Sequence, residues 1–207
     1  MEARLVSPVR LATAVIVGAL LLVMTPSAKA GILGTGAASY CDPYSSQVFQ
    51  AWGDRSNYML MPGGSFEEGT PSWKLSGGAK IVSGNEPYYL RSRTDRRSLY
   101  MPAGSSATTP TMCFAAGDWH LRFVGISPSQ SSKLKVTVHV ASLLGLVSIL
   151  DGGTVSSDGT WKPSPQVGLL LTNVGGLLTT KAISIQFTAT SDTTQIDDAY
   201  LDPWKET

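Results

Sequence analysis

The chain has 207 residues, of which 43% are hydrophobic and 15% charged, and its formal net charge is +1. That balance supplies no basic face of the kind nucleic-acid binding draws on, so DNA and RNA are excluded as expected partners. The length suits one domain with a core large enough to fold without a metal.

In chain order, the first element is a leader. Arg4 and Arg10 form a positive start, Leu11 to Met24 is almost uniformly apolar, and Ala28-Lys29-Ala30 gives the small-x-small pattern of a signal peptidase site. Cleavage is expected after Ala30, and the protein is expected to be secreted. The apolar run of fourteen residues is short of the roughly twenty that a membrane-spanning helix needs. No transmembrane segment is therefore expected after cleavage. Residues 1–30 hold three basic and one acidic side chain, leaving 13 basic and 14 acidic in the mature chain, a formal charge of −1.

Residues 31–57 read as a lead-in, with one short helical turn expected around Gln47 to Trp52, and residues 58–207 as the folded domain. The lead-in carries Cys41, and the only other cysteine is Cys113. Export favours a disulfide between them. Closing a loop of about seventy residues would stabilise the fold by roughly 4 kcal/mol in the chain-entropy model.

From residue 58 onward Gly, Ser, Thr and Pro punctuate the chain every eight to twelve residues, the spacing of an all-β sandwich or barrel. Lys133 to Ala141 is the clearest strand: Leu134, Val136, Val138 and Val140 alternate with polar neighbours. The same period marks Lys181 to Thr190 and Trp119 to Ile126. Further strands are expected in Trp73 to Val82, Tyr88 to Arg91, Ser98 to Met101, Ala107 to Phe114, Leu146 to Leu150, Thr160 to Pro165 and Gln166 to Thr172, with a loop or short helix over Val167 to Leu178 as the alternative to the last. Pro102, Pro110, Pro163 and Pro165 donate no ladder hydrogen bond and belong at edges, bulges or strand ends. Arg122, Lys135, Thr137, His139, Ser184, Gln186 and Thr188 would line one polar sheet face if their strands are neighbours.

Two segments at opposite ends of the domain carry chemistry: Gly63-Gly64-Ser65-Phe66-Glu67-Glu68-Gly69, followed by Trp73, and Gln195-Ile196-Asp197-Asp198-Ala199-Tyr200-Leu201-Asp202. Their acids meet only if the opening and closing strands lie side by side, as in a jelly roll. With a mid-chain Gly159-Thr160-Trp161-Lys162-Pro163, these motifs resemble those of the β-jelly-roll carbohydrate-binding modules, whose galactose-binding-like architecture is a two-sheet antiparallel β-sandwich. The likeness covers about residues 60–204. The chain is also similar to a group of small secreted bacterial proteins of unassigned role, which share Gly84-Asn85-Glu86-Pro87-Tyr88 and Ala103-Gly104-Ser105-Ser106-Ala107-Thr108.

The first resemblance implies one structural calcium ion, held by Glu67, by Asp95 ahead of Arg96-Arg97-Ser98-Leu99, and by Asp197. Asp95 departs from the family in its local spacing. Two or three carboxylates with carbonyls and water meet calcium's demand for six to eight oxygens. The alternative is that Glu67 or Asp197 forms an ordinary ion pair with Arg91, Arg96 or Arg97.

Sugar rings are held on exposed aromatic faces. Trp73, Trp161, Phe66 and Tyr200 lie in or beside strand patterns and read as structural. Tyr88, Tyr89 and Trp119 border turns and are the candidate ligand-binding platform. An enzyme is not expected. His120 and His139 sit inside alternating strands, and no Gly-x-Ser-x-Gly elbow, His-Glu-x-x-His helix or phosphate-binding loop is present. Adjacent Asp197 and Asp198 point to opposite strand faces, leaving Glu67 with one of them as the sole glycosidase-like couple, which ranks below a cation site. The reading is a secreted, non-catalytic binding module for a carbohydrate or cell-envelope polysaccharide. The competing reading is an exported structural or protein-interaction domain with no sugar site.

Overall fold

The computed structural model describes residues 44–68, 73–114, 120–127, 132–141, 147–156, 159–169 and 181–202. The leader, Cys41 and Trp119 lie outside these described residues. Apart from one 3-10 turn at Gln50–Trp52, the regular elements among the described residues are strands. In chain order they are β1 (Met59–Leu60), β2 (Lys74–Ser76), β3 (Lys80–Ser83), β4 (Arg97–Met101), β5 (Ser106–Thr108), β6 (Met112–Phe114), β7 (His120–Ile126), β8 (Lys133–Ala141), β9 (Val147–Ser156), β10 (Lys162–Pro163), β11 (Val167–Gly168), β12 (Lys181–Ala189) and β13 (Thr194–Leu201). Among the described residues no helix is long and apolar enough to cross a membrane.

The strands form two antiparallel sheets. One runs β10-β7-β13-β4-β3, with β1 also on β13 and β11 also on β7; the other runs β2-β5-β12-β8-β9, with β6 also on β12. The fold is an all-β, two-sheet sandwich of jelly-roll type. Its opening and closing strands do lie against each other, Met59 opposite Leu201 and Leu60 opposite Tyr200.

Alternation decides which side chains go between the sheets. Leu121 and Phe123 of β7, Val136 and Val138 of β8, and Ile185 and Phe187 of β12 are all buried in one core. Phe187 bridges the layers: its ring stacks on Trp73 at 5.9 Å and meets Phe123 edge-on at 5.7 Å. Burying such a ring contributes about 2 to 3 kcal/mol from its apolar area. Trp73 is satisfied where it lies, donating its indole N–H to the Pro62 carbonyl at 2.7 Å.

Four expected strands differ from those observed. Trp73 to Val82 is two strands in different sheets, because Gly77 (φ 66°) and Gly78 (φ 89°) turn the chain between β2 and β3. Ala107 to Phe114 divides into β5 and β6 around Thr109-Pro110-Thr111, where proline interrupts the ladder. Tyr88 to Arg91 is not a strand but part of the connection between β3 and β4. The expected strand Gln166 to Thr172 is ordered ladder only at Val167–Gly168, and residues 170–172 lie outside the described residues.

Residues 44–57 of the lead-in pack onto the sandwich. An isolated bridge ties Ser46 to Tyr58, and Phe49 and Tyr58 pack with Val124 and Tyr200 on the outer face of the seven-stranded sheet. Arg122 belongs to this face, not to the polar face of β8 and β12. Its Nη1 reaches Asp54 Oδ2 at 2.7 Å, its Nε and Nη2 donate to the Ser164 carbonyl, and its guanidinium lies 4.4 Å from the Phe49 ring centroid. The expected polar face therefore loses Arg122 but keeps Lys135, Thr137 and His139 opposite Thr188, Gln186 and Ser184.

Candidate functional site

The site begins where β13 changes partner. Thr194 to Ile196 pair with β4, but beyond Ile196 the ladder passes to the turn after β1: Met61 N–H donates to the Ala199 carbonyl at 2.9 Å and Ala199 N–H to the Gly64 carbonyl at 3.0 Å. The register with β7 also shifts between Asp197 and Tyr200, and Asp198 takes a left-handed φ of 47°. A bulge re-aims side chains in this way. Here it turns two adjacent aspartates inward, so that both are buried.

Gly64 permits this arrangement. A Cβ there would lie 2.7 Å from the Ala199 carbonyl oxygen and 2.9 Å from that of Met61. The Gly63-Gly64-Ser65-Phe66-Glu67 segment thus has a backbone reason for its glycines. Phe66 is fully buried beside Trp73, and the Glu67 side chain reaches back so that Oε1 accepts the N–H groups of Arg96 and Arg97, both at 2.7 Å.

The β3–β4 connection hangs on carboxylates. Glu86, fully buried, accepts the N–H of Leu90 on Oε1 at 2.7 Å and that of Tyr88 on Oε2. Its own N–H donates to Asp197 Oδ2 at 3.1 Å, and Arg91 N–H donates to Asp198 Oδ2 at 3.2 Å. Asp197 Oδ1 accepts the Asp198 N–H at 2.8 Å, and Asp95 Oδ1 pairs with Arg91 Nη1 at 3.2 Å. Two carboxylate oxygens in this frame, Asp95 Oδ2 and Asp198 Oδ1, are buried with no hydrogen-bond partner, as is the amide oxygen of Asn85.

Charge crowding follows. Burial, with help from neighbouring Asp198, pushes the Asp197 carboxyl up to about 8 against the pull of its N–H bonds. Burial and Glu86 push Asp198 up to about 7. Burial also raises Asp95, with Arg91 opposing and Glu67 adding to the shift.

For the three expected calcium ligands, the result is mixed. Glu67 and Asp95 are electrostatic neighbours, whereas Asp197 faces Glu86 and Asp198. Among the described residues no three acidic, histidine or cysteine side chains are grouped closely enough to hold a metal as they stand. The two orphaned carboxyl oxygens nonetheless fit a cation, since each, once its carboxyl is ionised, is an acceptor without a donor. They belong to Asp95 and Asp198, while Asp197 has both oxygens committed to N–H groups. The sequence reading names neither Glu86 nor Asp198 as a cation ligand, weighing Asp198 only as a carboxylate partner of Glu67. Its alternation rule sent Asp198 to the face opposite Asp197, and a bulge breaks that rule.

Of the aromatic candidates, Tyr88 and Tyr89 are 41% and 44% exposed, with Trp52 beside them at 39%. The Trp52 and Tyr88 rings meet edge to face with centroids 4.9 Å apart, and the Tyr88 hydroxyl donates to the Trp161 carbonyl at 2.6 Å. Tyr89 sits at a φ of 54°, a left-handed conformation that is costly for a bulky side chain. Trp119 and Cys41 lie outside the described residues, so the third platform candidate and the pairing of Cys41 with Cys113 receive no structural account. His120 is part-exposed with its Nδ1 3.8 Å from Asp202 Oδ2, and His139 lies on the outer face of the six-stranded sheet opposite Ser184.

No protein-family model matches the chain, and no curated protein does. Solved structures do. An enzymatically active domain of tailspike protein 4 of bacteriophage CBA120 is 12% identical over 69% of this chain, with a TM-score of 0.45; the chain spans 21% of that domain's length. A family 61 carbohydrate-binding module solved with beta-1,4-galactotriose is 18% identical, covering 74% of this chain and 100% of its own, with a TM-score of 0.41. The C-terminal family 22 carbohydrate-binding module of a Clostridium thermocellum xylanase is 14% identical over 67% of this chain and 90% of its own, at a TM-score of 0.39. The class that the two sheets define is the antiparallel jelly-roll sandwich.

Proposed function

We propose that this chain is an exported, non-catalytic binding module for a carbohydrate, taken on the aromatic loop between β3 and β4. One observation carries the reading: Tyr88 and Tyr89 present about two fifths of their surface at the tip of a connection whose backbone is pinned from beneath by Glu86, with Trp52 packed against Tyr88. Rings left half exposed by a loop that also holds Tyr89 in a costly conformation are arranged for contact with something outside the chain. Flat, fixed rings suit the apolar faces of pyranoses and lose little conformational entropy on binding.

Export rests on the leader in residues 1–30, and a Cys41–Cys113 bridge belongs to the same proposal as a fastener of the lead-in. A calcium ion would be held against Asp95 and Asp198, where the unpartnered oxygens lie. Its contribution would be structural, offsetting the repulsion among the buried acids beneath the loop.

A glycan array and titration calorimetry on neutral and acidic polysaccharides, with galactan and xylan included, test the reading. Truncating an anchor ring at an interface typically costs over 1 kcal/mol, so Tyr88→Ala is expected to weaken binding roughly tenfold. Tyr88→Phe keeps the ring, loses only the bond to Trp161, and should bind nearly as well as the parent. Silence across every polysaccharide would leave the chain as a structural or protein-interaction domain.

A further inference from the structure

Beyond the tyrosines, the β3–β4 connection runs into Arg91-Ser92-Arg93-Thr94-Asp95-Arg96-Arg97, which places four guanidiniums within seven residues of a mature chain whose formal charge is −1. All four arginines are exposed, and the acids near them are mostly inside: Asp95, Glu86, Asp197 and Asp198 are each at most 3% exposed.

The buried acids do not use up the arginines. Arg91 answers Asp95. Glu86 and Asp197 are occupied by backbone N–H groups. Glu67 accepts the backbone amides of Arg96 and Arg97 and takes neither guanidinium, while Glu68 beside it is exposed. Arg96 Nη1 donates to the carbonyls of Arg93 and Asp95 at 2.8 and 2.6 Å, and Arg97 Nη1 to that of Glu67 at 3.3 Å. Among the described residues Arg93, Arg96 and Arg97 therefore form no ion pair.

Carbonyls holding Nη1 of Arg96 and Arg97 fix those side chains without neutralising them, and each guanidinium has further N–H donors. A fixed fork outside any ion pair is suited to carboxylate, sulfate or phosphate groups, which it grips in bidentate fashion. Exposed rings followed by exposed charges along one connection suit a polymer that carries both sugar faces and acidic substituents.

We propose that the ligand is an anionic glycan, its sugar rings on Tyr88 and Tyr89 and its acidic groups on Arg93, Arg96 and Arg97. This deepens the carbohydrate reading and depends on it.

The test uses the exported protein as secreted. Binding is measured to polygalacturonate, dextran sulfate, neutral galactan and xylan, and to vesicles of anionic phospholipid, as salt rises from about 50 to about 300 mM. Either acidic polymer is expected to bind at least about tenfold more tightly than the neutral ones, with affinity falling as salt rises. The triple variant Arg93→Gln, Arg96→Gln, Arg97→Gln should bind acidic and neutral polymers alike. Arg93→Gln alone removes no hydrogen bond described above and keeps the test valid if the triple variant misfolds; it should lower acidic-polymer affinity several-fold and leave neutral binding unchanged. Equal binding of neutral and acidic polymers overturns the anionic assignment and leaves the module reading standing. Vesicle binding in preference to every polysaccharide also overturns it. Silence on all polymers removes both.

Discussion

Replacing Asp198 by asparagine should make the protein more stable. The aspartate is 1% exposed, one oxygen accepts the Arg91 N–H, the other has no partner, and its carboxyl is pushed up to about 7 from 3.8. A raised folded-state value means that the folded protein holds the proton more tightly than the unfolded chain. The stability this represents is complete below pH 3.8 and is lost as pH climbs through about 7. Three units at about 1.4 kcal/mol each put the loss near 4 kcal/mol above pH 7. Asparagine removes the charge, keeps an acceptor for Arg91, offers the crowded acids an N–H donor, and tolerates the left-handed φ of 47° better than most residues. With part of the desolvation cost remaining, a gain of about 2 to 4 kcal/mol is expected at pH 8.5 in EDTA, or roughly 5 to 15 °C in melting temperature. The gain should vanish near pH 4, and calcium should raise the melting temperature of the parent but not of the variant. Asp197→Asn is the internal control: both Asp197 oxygens accept N–H groups, so it should gain less despite its higher carboxyl value. An Asp198→Asn protein that melts below the parent at pH 8.5, with an unchanged pH slope, would refute the crowding argument.

Two further substitutions probe the frame from other sides. Arg122→Leu strands Asp54, whose carboxyl is held at about 2 by bonds from Tyr58, Arg122, Ser56 and Gln166 that outweigh burial; breaking a buried pair in this way should cost about 3 to 5 kcal/mol, measured by urea denaturation. Gly64→Ala forces a methyl to within 2.7 Å of the Ala199 carbonyl. Overpacking against backbone should cost about 1 to 3 kcal/mol and loosen the β1–β13 contact, seen as faster hydrogen exchange at Met61 and Ala199.

Where the sequence was legible, alternation made it so. β8 and β12 each bury one face, and their period of two survives in the residues themselves; β7 has both faces covered, with Leu121 and Phe123 on the core side. The meeting of the opening and closing strands was legible too, although the acids that suggested it find separate partners, Glu67 the amides of Arg96 and Arg97 and Asp197 those of Glu86 and Asp198. The divisions at Gly77-Gly78 and at Pro110 were harder, since a short apolar stretch shows no sign of which sheet it will join. The frame of Glu86 and Asp198 was invisible for a definite reason. Glu86 sits in a turn without periodicity, and Asp198 is turned inward by a bulge whose cause, the approach of Gly64, lies more than a hundred residues away in the chain. Alternation alone puts Arg122 on a wet sheet face, since nothing in its strand reveals that Phe49 and Asp54 lie over it.

The aromatic loop and the acids beneath it form one energetic unit, and Glu86 is where that can be measured. Between Gly84 and Arg96 no strand ladder holds the chain, so the conformation of Tyr88 and Leu90 depends on acceptors that side chains supply. Glu86 gives one oxygen to each N–H. Glutamine would keep the shape and remove a negative charge from a crowded frame, which favours stability, but its amide nitrogen replaces one of the two acceptors. A buried N–H left facing another donor costs about 1 to 3 kcal/mol. The two effects oppose in global stability and part company locally. Glu86→Gln should therefore change the melting temperature only slightly, while hydrogen exchange at Tyr88 or Leu90 accelerates by about tenfold or more and sugar affinity falls with it. Unchanged exchange at both amides would mean that the loop is held by something other than this carboxylate.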